Sequence, residues 1–285
     1  MPWELTNDVE VFAARAWDLL AADPVTHTVA LTTIDGLRSG RRWSDVPPVL
    51  GWYADGDAAV TGAVCMTPPF ELQLEAVPDG SLRALVDALR ERGVSPGGAS
   101  GRPHDVTRFA GAWTAVTGLM AETTMRQRLY AFDAANPEPP APAGRARPAR
   151  AEDVDLLVAR SLEFRAEAGG HATDVEPVVR RRSADGLLWV WEDDLGTIVS
   201  HAGRSAAVAG VARVGPVYTP PEHRRCGYGT AVTAACTRDA LRRDAAQVVL
   251  FTDLANPTSN AIYQQIGYRP VSDRVIVGFV AGDRG

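Results

Sequence analysis

Seven consecutive residues, Arg224-Arg225-Cys226-Gly227-Tyr228-Gly229-Thr230, join two cations and two glycines to the start of an expected helix. A helix beginning there offers unsatisfied backbone amides and the positive end of its dipole to whatever precedes it. Gly227 and Gly229 remove the side chains that would hold an anion away from the backbone, and Arg224 or Arg225 adds charge. The chemistry that suits this arrangement is the binding of a pyrophosphate. The spacing Arg-x-x-Gly-x-Gly differs from the six-residue glycine fingerprint of dinucleotide folds and from the Gly-Lys-Ser/Thr ending of nucleotide triphosphatases.

Two flanking segments also carry chemistry. Upstream stands Gly215-Pro216-Val217-Tyr218-Thr219-Pro220-Pro221-Glu222-His223, where Pro216 lacks an amide proton and interrupts strand pairing. That interruption marks either a splay from the neighbouring strand or a simple edge bulge. Downstream, Asn256 before Pro257 caps a helix on which Ser259, Ile262, Tyr263 and Ile266 share one face before Gly267 ends it, so Tyr263 points inward.

Taken in order across residues 206 to 271, these three segments resemble the coenzyme A signature of the GNAT superfamily of N-acetyltransferases. The resemblance implies acyl transfer from acetyl-CoA, or another acyl-CoA, as co-substrate, with no metal. Coenzyme A would lie with its pyrophosphate on the amides of Arg225, Cys226, Gly227, Tyr228, Gly229 and Thr230, beside Arg224. Its pantetheine arm would follow Val217, Tyr218 and Thr219, and the Val217 amide would contact the oxyanion. Tyr263 stands where the family places a tyrosine beside the coenzyme sulfur, to protonate the leaving thiolate. Asn256 would bind the cofactor directly or through water, alongside its capping role. The base stays unassigned among His201, Glu163, Glu167 and water. Cys226 departs from the family pattern, which has glycine or a basic residue there; its amide serves the phosphate while its thiol points away.

The elements that must position these residues form two runs. In the second, a strand over 145–150, helices over 152–168 and 175–183, and strands over 187–192 and 197–204 joined by Asp193-Asp194-Leu195-Gly196 lead to a long strand over 208–219. The phosphate-loop helix to Arg243, a strand over 247–252, a short helix and strands over 268–271 and 274–280 complete it. The first run begins with a helix capped by Asn7 and reinforced by Glu10. A hairpin of strands 49–54 and 58–66 turns at Asp55-Gly56, followed by strand 72–77, helices 81–92 and 105–116, and strand 124–132. Where a phosphate loop would fall, the first run has only Pro78-Asp79-Gly80-Ser81, with an acid and no arginine.

The expected fold class is therefore α/β (α+β), two tandem acetyltransferase-like lobes, each a twisted mixed, mostly antiparallel sheet flanked by helices. Residues 1–135 form a degenerate lobe, 136–148 a Pro-rich linker and 149–285 the acyl-CoA-binding lobe. Thr67-Pro68-Pro69, Ala112-Trp113-Thr114-Ala115-Val116-Thr117-Gly118 and Arg126-Gln127-Arg128-Leu129-Tyr130 resemble tandem members with a degenerate first lobe. That resemblance implies a small-molecule amine acceptor. The alternatives are a non-catalytic acyl-CoA sensor and an acetyltransferase of protein amines, and a carrier-protein thioester could stand in for acyl-CoA.

At 285 residues the chain accommodates two domains, each able to bury its own core. Its 46% hydrophobic and 22% charged content, with mean hydropathy −0.10, describe a globular protein without a membrane-spanning run. Residues 1–10 lack the basic start and apolar centre of a secretory leader, so the cytoplasm is expected. All 29 basic side chains other than histidine are Arg, a bias that, with the abundance of Ala, reads as codon usage. A net charge of −6 argues against tracking nucleic-acid phosphates. Three widely spaced cysteines support neither a disulfide framework nor a zinc site. The expected partner is the amine acceptor, with no nucleic acid or membrane, and the protein acts as a monomer or homodimer.

Overall fold

The computed structural model describes residues 3–54, 56, 58–133, 140–169 and 174–282. Asp55 of the expected hairpin turn and linker residues 136–139 lie outside them. The chain divides into two compact units. One comprises Met1–Leu129, Asp253–Ala255 and Ser272–Gly285, and the other Tyr130–Thr252 and Asn256–Val271. The sequence partition at 135 and 149 makes each lobe continuous, whereas the units exchange segments: residues from Ser272 onward belong with the first.

The first unit contains β1 (Glu4–Thr6), α1 (Val9–Ala21), α2 (Thr28–Arg38), β2 (Val49–Tyr53), β3 (Gly62–Met66), β4 (Leu72–Ala76), α3 (Leu82–Glu91), β5 (Gly98–Gly101) and α4 (Pro103–Thr117). β6 (Leu119–Phe132) begins in this unit and ends in the next. The strands β1 to β5 are neighbours in chain order, antiparallel except for the parallel pair β4 and β5. The far edge of β5 pairs antiparallel with Val275 to Gly278 of the last strand. Val275 and Val277 of that strand enter a core with Leu85, Leu89, Phe109 and Trp113 of α3 and α4. The α1 cap is Asp8, whose Oδ1 accepts from the amides of Glu10 and Val11, rather than the expected Asn7. Asp8 is the residue directly before the first helical turn, the position from which a short carboxylate reaches those two amides.

The second unit contains β7 (Arg145–Pro148), α5 (Val154–Ala168), α6 (Glu176–Ala184), β8 (Leu188–Glu192), β9 (Ile198–Arg204), β10 (Val211–Tyr218), α7 (Tyr228–Arg243), β11 (Gln247–Asp253) and α8 (Pro257–Ile266). Its last residues, 268–271, open β12 (Tyr268–Ala281), one continuous strand where two were expected, whose remainder belongs to the first unit. The order β11-β10-β9-β8-β7 is antiparallel except for parallel β10 and β11. Pro148 is tolerated because β7 is a terminal strand of this run, where a missing amide proton breaks no ladder.

Both faces of this second set of strands are covered. Val232, Ala234, Ala235, Cys236 and Ala240 of α7 pack on one face, and Leu157 and Val179 of α5 and α6 pack with Val190 on the other. The alanines keep α7 close to the strands. Its far end is fixed by Arg204, 1% exposed, which reaches Asp239 at 3.3 Å and Asp244 at 3.0 Å. That buried ion pair fixes the direction of α7 and with it the position of the loop at its start.

Candidate functional site

β10 and β11 pair from Val211↔Gln247 to Val214↔Leu250, and no further pair between them follows among the described residues. The register of β10 on β9 shifts between Val214 and Val217, at Gly215-Pro216. Bulge and splay, alternatives on sequence grounds, therefore coincide. The backbone amide of Arg204 donates to Leu187 O, so the Arg204 backbone faces β8, and by the alternation of antiparallel ladders that of Ala202 does too. Val217, the partner of Ala202, consequently turns its amide away from β9 and toward the side where β11 has left the ladder.

Past β10 the chain makes a short 3-10 turn, Pro221–His223, and reaches Gly227, the residue before α7, with φ of 82°. Only glycine adopts that angle without strain. A Cβ on Gly229 would stand 3.1 Å from Thr219 Oγ1, which itself hydrogen-bonds Ser200 Oγ at 2.8 Å. The intrahelical ladder begins with Ala231 donating to Gly227 O. The six amides from Arg225 to Thr230 therefore have no acceptor among the described residues, and the first turn of α7 contains no acid. Six uncommitted donors on a partly exposed loop form an anion cradle that the dipole of α7 reinforces.

The two arginines separate. Arg224 donates to Thr219 O at 2.9 Å and to Glu167 Oε2 at 2.5 Å, with its guanidinium over the Tyr218 ring. Arg225 is exposed, at φ of 63°, and its guanidinium has no partner among the described residues. Arg224 is the brace of the loop, and Arg225 is a cation without a partner among the described residues. The hydrogen bond from Arg224 is the main reason the Glu167 carboxyl lies below its ordinary range. Tyr218 donates its hydroxyl to Glu167 Oε1 at 2.9 Å, and burial followed by that bond pushes its phenol up to about 12.

The candidate bases are each occupied or enclosed. Glu167 holds Arg224 and Tyr218, while Glu163 accepts from Arg160 at 2.9 Å. His201 is 2% exposed, and burial first, then the charges of Arg160 and Arg182, push its pKa down to about 4, so it is neutral at pH 7. Its Nε2 has no partner among the described residues.

Tyr263, like Val217, Tyr228 and Ile262, packs against the α7-side core, its ring 6.2 Å from that of Tyr268. Burial pushes its phenol up to about 12, and the hydroxyl has no partner among the described residues. Asn256 caps α8 through Oδ1, which accepts from the Ser259 amide at 3.0 Å, leaving its Nδ2 donors outside the cap. Asn260 instead accepts from buried Tyr130, which ties α8 to β6. Cys226 is exposed and its thiol contacts Arg224 O at 3.5 Å.

Sequence reasoning placed Glu167 only as a candidate base and missed its part in bracing the loop. A glutamate 57 positions from Arg224 has no local signal for such a pairing. It also missed Ser200, a strand residue whose partner Thr219 is brought near only by the pairing of β9 with β10.

A mixed sheet opened between two parallel strands, with an amide-lined loop at the open end, defines an α/β fold suited to an extended anionic ligand. The model of the acetyltransferase (GNAT) family matches residues 156–268, so that segment is similar to an acetyltransferase domain. No curated protein matches the chain. Among solved structures, a GCN5-related N-acetyltransferase from Sphaerobacter thermophilus is similar at 16% identity and TM-score 0.62, covering 96% of this chain and 94% of that one. One from Kribbella flavida is 24% identical with TM-score 0.56, covering 90% and 96%. A tandem GNAT protein from the clavulanic acid biosynthesis pathway is 14% identical with TM-score 0.57, covering 99% and 100%. These likenesses establish the fold, tandem form included. No helix among the described residues is long and apolar enough to cross a membrane.

Proposed function

We propose that the protein moves an acetyl or other short acyl group from acyl-CoA to a primary amine on a small molecule. The observation that carries this reading is the run of six amides from Arg225 to Thr230, uncommitted among the described residues, beside the point past Val214↔Leu250 where β10 and β11 cease to pair with each other. The amides and the exposed Arg225 guanidinium would hold the pyrophosphate, and Val217 to Thr219 would line the pantetheine arm. Bound acyl-CoA supplies the activated thioester. The amine nitrogen bonds the carbonyl carbon as the carbon–sulfur bond breaks; the Val217 amide polarises the carbonyl oxygen, Tyr263 Oη gives its proton to the departing sulfur, and the proton that the nitrogen sheds returns through water to the Tyr263 phenolate. Its raised pKa keeps that proton in place at pH 7. Asn256 keeps Nδ2 for the cofactor, directly or through water, because Oδ1 is spent on the cap.

The first lobe would bind no coenzyme of its own. In its corresponding loop the Ser81 amide is already bonded to Pro78 O, and Asp79 puts a carboxylate there that accepts from Arg108 at 2.6 Å. Calorimetry with coenzyme A is expected to give one site per chain in the wild type and none in Gly227→Glu, which sets a carboxylate on the cradle. A stoichiometry of two, or binding retained in that variant, defeats the assignment. Screening amines with acetyl-CoA by thiol release then separates acceptors: turnover of small amines supports the reading, and turnover of peptide amines alone replaces it with a protein acceptor.

A further inference from the structure

The segment that leads from the linker into β7 comes to rest at the phosphate loop. A Cβ added to Gly227 would meet two heavy atoms within 4 Å, Cδ and Cγ of Pro142, each at 3.8 Å. The segment is held there by its own contacts. Trp191 Nε1 donates to Ala143 O at 3.2 Å, and at Gly144, with φ of 112°, a Cβ would collide with Glu192 O. Glu192 is in turn bound by Arg145 at 3.0 Å and by Arg147, which also holds Asp153 at 2.6 Å. The course of the chain from Ala143 to Arg147 is thereby fixed to the edge of β8, and Pro142 is delivered to Gly227 of the cradle.

We propose that Pro142 and its neighbours Ala141 and Ala143 form a wall of the subsite for the nucleotide half of acyl-CoA, an inference that rests on the function proposed above. The chemistry fits. A pyrophosphate on the amides of Arg225 to Thr230 has one end continuing toward the thioester and the other toward the adenosine. The proline ring is a rigid apolar face, and among the described residues it is the one side chain within 4 Å of a Cβ placed on Gly227. Such a face loses no rotamer entropy on meeting a heteroaromatic ring and has no amide proton left unsatisfied beneath it. Binding of the nucleotide half thus depends on the linker, while binding of the pantetheine half depends on β10.

The test compares three probes on wild type, Pro142→Gly and Pro142→Asp: coenzyme A, adenosine 3′,5′-bisphosphate, and pantetheine measured by competition. Removing the ring is expected to weaken coenzyme A and adenosine 3′,5′-bisphosphate by a shared factor of about five, because the apolar surface that the adenine would cover is gone. Pro142→Asp is expected to weaken both further, and pantetheine affinity stays at the wild-type value in both variants. If pantetheine falls by the same factor, the substitution acts through the fold and the wall is refuted. If both variants bind coenzyme A as the wild type does while Gly227→Glu does not, the wall is refuted and the cradle stands. If Gly227→Glu also binds normally, the cradle fails and the wall fails with it.

Discussion

Arg274, on β12, donates to Glu75 Oε1 on β4 at 3.3 Å, and both side chains are buried. His27 completes the group through Nδ1, 3.0 Å from the other Glu75 oxygen. Burial alone would raise the Glu75 pKa; the Arg274 charge, the His27 hydrogen bond and the His27 charge outweigh it and hold the carboxyl below its ordinary value. This interaction attaches the final strand to the first unit.

Breaking the pair strands a buried charge, so Arg274→Met is expected to cost about 3 kcal/mol in urea unfolding at pH 7. A lowered folded pKa means that the carboxylate's contribution is full above the unfolded value of about 4.3 and fades as pH falls toward the folded one. The difference between wild type and Arg274→Met should therefore shrink below about pH 4.3. An unchanged difference at pH 3 would assign the loss to packing.

The two arginines of the loop predict opposite signatures. Arg225→Ala is expected to weaken coenzyme A roughly tenfold and to flatten the salt dependence of binding, since one charge-assisted contact is removed and the loop is untouched. Arg224→Ala loosens the loop instead, and Glu167→Ala should reproduce its effect, with the double variant no worse than either single one. Additive losses would show that Arg224 and Glu167 act separately.

For Tyr263→Phe, turnover is expected to fall on the order of 10²-fold while coenzyme A affinity holds, because only the proton donor is lost and the ring keeps its packing. Steady-state rates with a turned-over amine, beside calorimetry, decide this. Unchanged turnover would return Tyr263 to a packing role.

The three cysteines differ in accessibility. Cys65 and Cys236 are buried, and burial pushes the Cys236 thiol up to about 12, whereas Cys226 is exposed on the cradle. Mild alkylation followed by peptide mapping is expected to mark Cys226 alone and to slow when coenzyme A is present. Equal labelling with and without the ligand would place Cys226 outside its footprint.

The parts of this architecture written in local pattern were legible in the chain. The α7 start at Gly227-Tyr228 and the α8 cap at Asn256-Pro257 follow from capping chemistry. β5 was not legible, because Gly98-Ala99-Ser100-Gly101 has the composition of a turn. Its glycines answer to distant backbone: a Cβ on Gly98 would collide with Val277 O, and one on Gly101 would stand 2.8 Å from Leu74 O. The helix α2 was missed because Thr28, Thr32 and Thr33 weaken its propensity and His27 supplies no side-chain cap. At the site, sequence supplied the loop but could not divide labour between Arg224 and Arg225, since that depends on Glu167 arriving from α5.

The exchange of β12 bears on biosynthesis. The first unit borrows its strand beside β5, with Val275 and Val277, from a stretch translated after the whole of the second. A nascent chain that has emerged through β6 has therefore exposed an edge of β5 and an unfilled apolar seam against α3 and α4. Such an edge recruits strands from other chains. During that interval the ribosome and its chaperones must shelter the early half, and a stop introduced just after Val271 should leave a second unit of full length beside a first unit prone to aggregate.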